Sequence, residues 1–164
     1  MRVLTLATLG LLLAAILSAH PWIQQEAAGE ALASEPQQTM IQRINPPGST
    51  QPTKYTHLVT AGNTLYLSGQ TSSNGKGELI GKGDMRAQVR QVYENIKRIL
   101  AHQGASFDNL VKISIYTVDV DEFLKTTDIR QQYTGGRAPA STLVQIDRLA
   151  NPDYLVEIEG TAVF

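Results

Sequence analysis

Cysteine is absent from this chain of 164 residues. Its absence excludes a disulfide scaffold, a thiol nucleophile and metal sites built on thiolates. Aromatic residues make up only 6% of the chain, and neither charge predominates, since 14 Lys and Arg side chains stand against 15 Asp and Glu. Such a balance lacks the basic patch that nucleic acid or an anionic membrane selects. We therefore expect neither nucleic acid nor another polyanion as partner.

Histidine is also scarce. The three histidines are His20, His57 and His102, and no two of them share a spacing that would hold a metal ion. Zinc and similar ions need three or four convergent ligands with outer-shell support. No metal site is therefore predicted, and the chemistry open to the chain rests on oxygen and nitrogen groups.

Only one long apolar run is present, at the start of the chain. Arg2 precedes the run from Val3 to Leu17, which ends in Leu17-Ser18-Ala19. This pattern is typical of a secretory signal. The run is shorter than the roughly 20 residues that a bilayer-spanning helix needs, so a permanent anchor is the weaker interpretation. We predict a signal peptide over residues 1–19, a secreted or periplasmic protein, and no stable membrane anchor after cleavage.

The next segment is poor in order-forming patterns. Residues 20–53 are rich in Gln, Glu, Ala and Pro, contain Pro46-Pro47-Gly48 and show no sustained hydrophobic period. A segment of this composition cannot bury enough apolar surface to order itself. We predict a flexible linker over residues 20–53 and a folded domain over residues 54–164.

The predicted domain contains sequence patterns typical of helices and others typical of strands. Asp84 can cap a helix of near-3.6 apolar period that ends at Gly104, and Asp119 with Glu122 forms a plausible capping box for a second helix reaching about Tyr133. Gly62-Asn63 can form a tight hairpin turn between the first two strands. The predicted strands are Tyr55–Ala61, Thr64–Gln70, Leu110–Val118, Thr142–Arg148 and Tyr154–Phe164.

The resulting order, ββαβαββ, predicts a domain of the α/β (α+β) class, in which one mixed sheet carries both helices on the same face. The other sheet face then needs a cover of its own. A small domain with an uncovered, half-apolar sheet usually oligomerises. We therefore expect a symmetric homo-oligomer.

Two places in the chain could carry chemistry. Glu157 and Glu159 share one face of the last predicted strand. Spacing alone leaves open whether they face solvent or whether one lies in a cleft and orients water or a proton. Ser141 and Thr142 follow Pro139 where a loop becomes a strand. Without a nucleophile-elbow motif, these hydroxyls are more typical of a strand edge than of a nucleophile.

Several ordered motifs point to one family. They are Tyr55-Thr56-His57, Ala61 through Gln70, Glu94 through Lys97, Gly104-Ala105, Val111-Lys112, Asp121-Glu122-Phe123, Pro139-Ala140-Ser141 and Leu155 through Glu159. Together they closely resemble the RidA/YjgF/UK114 family over Tyr55 to Phe164. The resemblance implies a chorismate-mutase-like fold and a homotrimer whose sheets form a central barrel. It also implies ligand clefts between subunits, which supplies the missing cover for the sheet.

The resemblance further implies an activity. The archetype hydrolyses reactive 2-imino and 2-enamino acids to 2-keto acids and ammonia, and it uses no cofactor. A glutamate of the last strand positions the attacking water and falls on Glu157. A turn and an aromatic residue that shape the cleft fall on Ser68, Gly69 and Tyr55.

Two positions depart from the family pattern. The arginine that grips the substrate carboxylate falls on Ser141, and an asparagine near the cleft falls on Thr127. A guanidinium offers a carboxylate a charged, two-pronged fork, whereas a serine hydroxyl offers one neutral donor. Charge-assisted hydrogen bonds contribute about 1.5 to 3 kcal/mol against roughly 1 kcal/mol for neutral ones, so we expect binding of an imino acid to weaken at least tenfold.

These departures set the leading hypothesis and its alternatives. We predict an exported, trimeric RidA-like protein that binds a small polar or anionic metabolite in clefts between subunits, rather than the archetypal deaminase. One alternative is an active enamine or imine deaminase in which Arg137 replaces the usual arginine. Another is a structural or protein-binding trimer with no small-molecule ligand.

Overall fold

The computed structural model describes residues 40–164. The predicted signal peptide and residues 20–39 of the predicted linker lie outside the described residues. The elements, in chain order, are β1 (Ile41–Ile44), β2 (Leu58–Ala61), β3 (Thr64–Gln70), α1 (Met85–His102), a 3-10 turn (Phe107–Asn109), β4 (Leu110–Thr117), α2 (Val120–Leu124), α3 (Thr127–Thr134), β5 (Ala140–Gln145) and β6 (Val156–Val163).

The six strands form one mixed sheet in the order β1-β2-β3-β6-β4-β5. Neighbouring strands are antiparallel except for β4 and β5, which run parallel. A parallel pair needs a crossover, and α2 with α3 supplies it between β4 and β5. The predicted mixed sheet is confirmed.

The sheet begins earlier in the chain than the sequence predicts. Ile41 pairs with Ala61 and Ile44 with Leu58, so β1 adds an edge strand from within the predicted linker. Its side chains are mostly exposed, and its pairing depends on backbone hydrogen bonds rather than on an alternating apolar pattern. Asn45 then accepts a hydrogen bond from the His57 backbone N–H at 2.9 Å. The predicted boundary at residue 54 is therefore too late.

Helix α1 matches its prediction. The Asp84 carboxylate accepts a hydrogen bond from the Ala87 backbone N–H at 3.0 Å and so caps the helix. The helix ends at His102, two residues before Gly104, which adopts φ of 71°. Its apolar face is buried against the sheet, and Val89, Val92, Ile99 and Leu100 have no exposed surface.

The second predicted helix is in fact two helices. The Asp119 carboxylate caps α2 by accepting from the Glu122 backbone N–H at 3.0 Å. The chain then leaves the helical path at Thr126, whose buried hydroxyl donates to the Phe123 carbonyl at 2.7 Å. A threonine hydroxyl that bonds a nearby backbone carbonyl competes with regular helix geometry. Helix α3 therefore starts afresh at Thr127 and ends at Thr134, with Gly135 as its C-cap.

Both predicted helical regions pack on one face of the sheet, as expected. The core joins α1, Phe123 and Ile129 to inward-facing strand residues such as Ile115 and Ile158. The opposite face is uncovered in a single chain, and Tyr66 on it is 50% exposed. Among residues 40–164, no helix has the length and apolar character needed to cross a bilayer.

Candidate functional site

A break in the β3–β6 pairing creates the first part of the site. Leu67 pairs with Gly160 and Gln70 pairs with Ile158, so two residues of β3 lie opposite one residue of β6. The two residues of this β-bulge are Ser68 and Gly69. Such bulges bend a strand and redirect its side chains, and they are common next to functional sites.

Gly69 leaves the space that the Glu157 side chain occupies. A Cβ built on Gly69 would lie 1.8 Å from Glu157 Oε1 and 2.7 Å from its Cδ. No real side chain tolerates such contacts, so the carboxyl group reaches its position only because residue 69 is glycine. The bulge and the glutamate are therefore parts of one arrangement.

A groove of about 420 Å³ opens beside this carboxyl group. Its walls include Tyr55, Ser68, Gly69 and Glu157, which are four of the seven site residues predicted from the sequence. Tyr154 also contributes to the wall. Grooves of this size hold small metabolites when a few polar groups converge in them.

The structure distinguishes the two glutamates that spacing left equivalent. Glu159 accepts a hydrogen bond from the Tyr116 hydroxyl at 3.2 Å. The Glu157 carboxyl group accepts no hydrogen bond from a donor within residues 40–164. Its pKa is raised above the ordinary value, mainly by burial and to a smaller extent by the charge of Glu159. A carboxyl group with a raised pKa can exchange a proton closer to neutral pH. Glu157 is thus the better suited of the two for proton transfer.

His57 supports the groove from behind, although the sequence did not single it out for this role. It is 6% exposed, and its Nε2 lies 2.9 Å from the Thr50 hydroxyl. Burial lowers its pKa, which favours the neutral imidazole. Its ring contacts the edge of Tyr55, with ring centres 5.5 Å apart. Because Ser68 donates its backbone N–H to the His57 carbonyl at 3.0 Å, His57 positions two residues of the groove.

The remaining predicted residues lie elsewhere. Ser141 and Thr127 line a second cavity of about 220 Å³ between α3 and β5. The β4–β5 register pairs Ser141 with Ile113, whose side chain points to the helix-covered face. Glu157 pairs with Tyr116 on the other face. Ser141 and Glu157 therefore line two separate cavities.

Arg137 contributes to neither cavity. It forms an exposed ion pair with Asp108, and its side chain is 74% exposed. Its role as a replacement arginine stays a prediction. The second cavity contains a different arginine, Arg130, which sequence reasoning missed. In the part of the chain that the structure describes, no three His, Asp or Glu side chains converge to hold a metal ion.

Comparisons with known proteins find similar sequences and similar folds. The family model described as endoribonuclease L-PSP matches residues 48–164. A RutC family protein from Pyrococcus horikoshii is 39% identical over 108 residues, which cover 66% of this chain and 85% of that protein. A 2-iminobutanoate/2-iminopropanoate deaminase from Dermatophagoides farinae is 30% identical over 121 residues, which cover 73% and 94% of the two chains. The crystal structure of RidA from an Antarctic Psychrobacter is 30% identical, with a TM-score of 0.69 over 75% of this chain and 99% of that one.

Proposed function

This chain belongs to the endoribonuclease L-PSP family, the family of the RidA and YjgF proteins, and on that premise we propose that it binds a small 2-oxo or 2-imino acid in a cleft between copies of itself. The observation that carries the proposal is the Glu157 carboxyl group. It projects into a groove of about 420 Å³, in a space that only glycine at position 69 leaves open.

The groove suits the reactive end of such a ligand. When Glu157 is neutral it can donate a hydrogen bond to a 2-oxo oxygen, and when it is ionised it can accept one from an imine N–H or from water. Because burial raises the pKa of Glu157, the protonated form persists closer to neutral pH than it does for an ordinary carboxyl group. Tyr55, 53% exposed in the single chain, lies at the same groove and can cover a bound ligand.

A neighbouring copy is required to complete the cleft. Glu157 and Ser141 point to opposite faces of the sheet, so one chain cannot bring both to one small ligand. The uncovered face also exposes Tyr66 and Val144, which are 50% and 42% exposed. Burial of such a face between copies stabilises an oligomer. A homotrimer, as the family resemblance implies, is the assembly that we propose.

Hydrolysis of the imine is a second candidate function, and the raised pKa of Glu157 favours it. The relative from Dermatophagoides farinae carries the name 2-iminobutanoate/2-iminopropanoate deaminase. In such a reaction water adds to the C=N carbon, and ammonia then leaves as the keto group forms. Glu157 would take a proton from the water and return one to the departing nitrogen.

One experiment separates the two functions. Freshly generated 2-iminobutanoate is mixed with the full chain, and ammonia and 2-oxobutanoate are measured against buffer. Release well above buffer that Glu157→Ala abolishes, while the matched control Glu159→Ala retains it, establishes the deaminase. Saturable binding of 2-oxobutanoate without accelerated release supports a binding protein. If the chain shows no binding and no release, the small-molecule function is refuted and the structural trimer is favoured.

Export is a further part of the proposal, and residues 1–19 carry it. Expression of the full chain in a bacterial host, followed by mass measurement of the protein released from the periplasm, tests the cleavage. A mature chain that begins at His20 is expected. A chain found in the cytoplasm with Met1 intact would contradict it.

A further inference from the structure

Two buried polar atoms in the cavity between α3 and β5 have no partner. They are the Tyr93 hydroxyl oxygen and the Arg130 Nε, and neither forms a hydrogen bond within residues 40–164. Tyr93 is 2% exposed. Most buried polar groups in folded proteins are hydrogen-bonded, and a buried group without a partner is costly. The Arg130 guanidinium can donate to the Tyr93 oxygen, but the hydroxyl hydrogen and the Nε–H of the pair both still lack an acceptor within residues 40–164.

Arg130 has no ion-pair partner in the described part of the chain, whereas the guanidinium groups of three other arginines of the domain have partners. Arg86 binds Asp128 at 2.6 Å, and Arg98 donates to the Gly48 carbonyl at 2.9 Å. Arg137 binds Asp108. No carboxylate within residues 40–164 forms an ion pair with Arg130. Its positive charge is therefore available to an anion.

The protein nevertheless holds the Arg130 guanidinium in place. The central carbon of that group lies 5.4 Å from the centre of the Phe123 ring, which is fully buried. A cation over an aromatic face is attracted to it and loses little further freedom on binding a ligand. The guanidinium also opposes the rise that burial causes in the pKa of Tyr93, through its charge and through a hydrogen bond to the hydroxyl, so the two groups lie close together.

The chemistry of the pair specifies its ligand. A hydroxyl hydrogen and a guanidinium N–H both seek an acceptor, and a planar anion with two oxygens can accept from both at once. The cavity, about 220 Å³, admits a group of that size. Ser141 lines the same cavity with a short side chain, so an anion can approach Arg130 without obstruction.

We infer that Arg130 and Tyr93 bind the carboxylate of the ligand, and that Arg130 supplies the positive charge that Ser141 does not. This inference rests on the proposed function, because it assigns the carboxylate half of the same cleft. Arg137 then has no part in binding. Arg130 and Tyr93 select for a charged acid over neutral compounds of the same shape.

Titration calorimetry of the full chain with 2-oxobutanoate tests the inference. Arg130→Gln should weaken binding by about tenfold or more, because a charge-assisted contact is lost. Arg90→Gln is the matched control, since Arg90 is an exposed residue of α1, and its affinity should remain within about twofold of native. Ser141→Arg placed in the Arg130→Gln background should restore much of the lost affinity.

A second measurement compares a charged and a neutral ligand, first on the native chain and then on two variants. The neutral analogue 2-oxobutanamide has the same shape as the acid but carries no charge. The native chain should prefer the acid by about tenfold or more, and tighter binding of the acid should fade as salt increases. In Arg130→Gln this preference should disappear. Tyr93→Phe should weaken the binding of the acid more than the binding of the amide.

The outcomes separate this inference from the proposed function. If native protein binds neither compound, both fail. If native protein binds the acid but Arg130→Gln binds it equally well, or if acid and amide bind alike, the inference fails and the proposed function stands. A tenfold loss in Arg137→Gln with none in Arg130→Gln would assign the role to Arg137 and overturn the inference.

Discussion

Substitution of Gly69 by alanine tests the contact on which the site depends. The added Cβ would lie 1.8 Å from Glu157 Oε1, 2.7 Å from Cδ and 3.0 Å from Cγ. All three atoms belong to one side chain, so the strain falls on Glu157 alone. These atoms are the far end of a flexible side chain beside an open groove, so Glu157 can turn away at the cost of an unfavourable rotamer, about 0.5 to 1.5 kcal/mol. We expect Gly69→Ala to lower the free energy of unfolding by about 1 kcal/mol or less and to displace the carboxyl group from the groove.

A double-mutant cycle isolates this contact. Urea unfolding is measured for native protein, Gly69→Ala, Glu157→Ala and the double variant. Because Glu157→Ala removes the obstructing atoms, Gly69→Ala should cost almost nothing in its presence, and the coupling should be about 0.5 to 1 kcal/mol. Glu159→Ala is the control, and its effect should add to that of Gly69→Ala within about 0.3 kcal/mol. Additive effects of Gly69→Ala and Glu157→Ala would refute the steric argument.

Three further predictions follow from other contacts. The pKa of Glu157 is raised in the folded state, so the folded state binds this proton more tightly than the unfolded state does. As the pH rises from about the ordinary value of 4.5 through the raised pKa, the native protein should lose free energy of unfolding relative to Glu157→Gln. Urea unfolding that shows a constant difference between the two proteins across this pH range would contradict the prediction. Gln88 is fully buried and bonds three backbone groups, at 3.1, 2.8 and 2.8 Å, so Gln88→Met should cost about 2 kcal/mol or more by urea unfolding, while the exposed Gln132→Met should cost less than about 0.5 kcal/mol. Asp84→Ala removes the cap of α1 and should lower stability by about 1 kcal/mol, which Asp84→Asn should largely restore; equal losses in the two variants would exclude capping as the cause.

Local patterns predicted much of the fold because they reflect local causes. Helix α1 followed from its capping aspartate and its apolar period, and β3 was predicted at Thr64–Gln70, where the structure has it. The edge strand Ile41–Ile44 escaped prediction because backbone pairing with β2 stabilises it, and backbone pairing leaves no mark on the side-chain pattern. The break at Thr126 depends on one buried hydroxyl bond that an apolar period does not reveal.

The candidate site was predictable only where motifs carried it. Family resemblance indicated Glu157, Ser68, Gly69 and Tyr55, and the structure places all four around one groove. Spacing could not rank Glu157 above Glu159, because the difference arises from a partner on the neighbouring strand, the Tyr116 hydroxyl.

Arg130 and Tyr93 show a second limit of sequence reasoning. In the sequence they read as a surface helix cation and an aromatic core residue. Their relation appears only when α3 packs beside α1 and brings two unpartnered polar atoms into one cavity with Ser141. A signal for the pair would have been the combination of a small residue at 141 with an arginine one helical turn after Thr127.

The most direct test of the account is a crystal of the full chain soaked with 2-oxobutanoate. The account predicts electron density for the acid between copies, with its oxo group beside Glu157 of one copy and its carboxylate on Arg130 and Tyr93 of the next. Unoccupied clefts at millimolar ligand, or density that leaves Glu157 without contact, would contradict it.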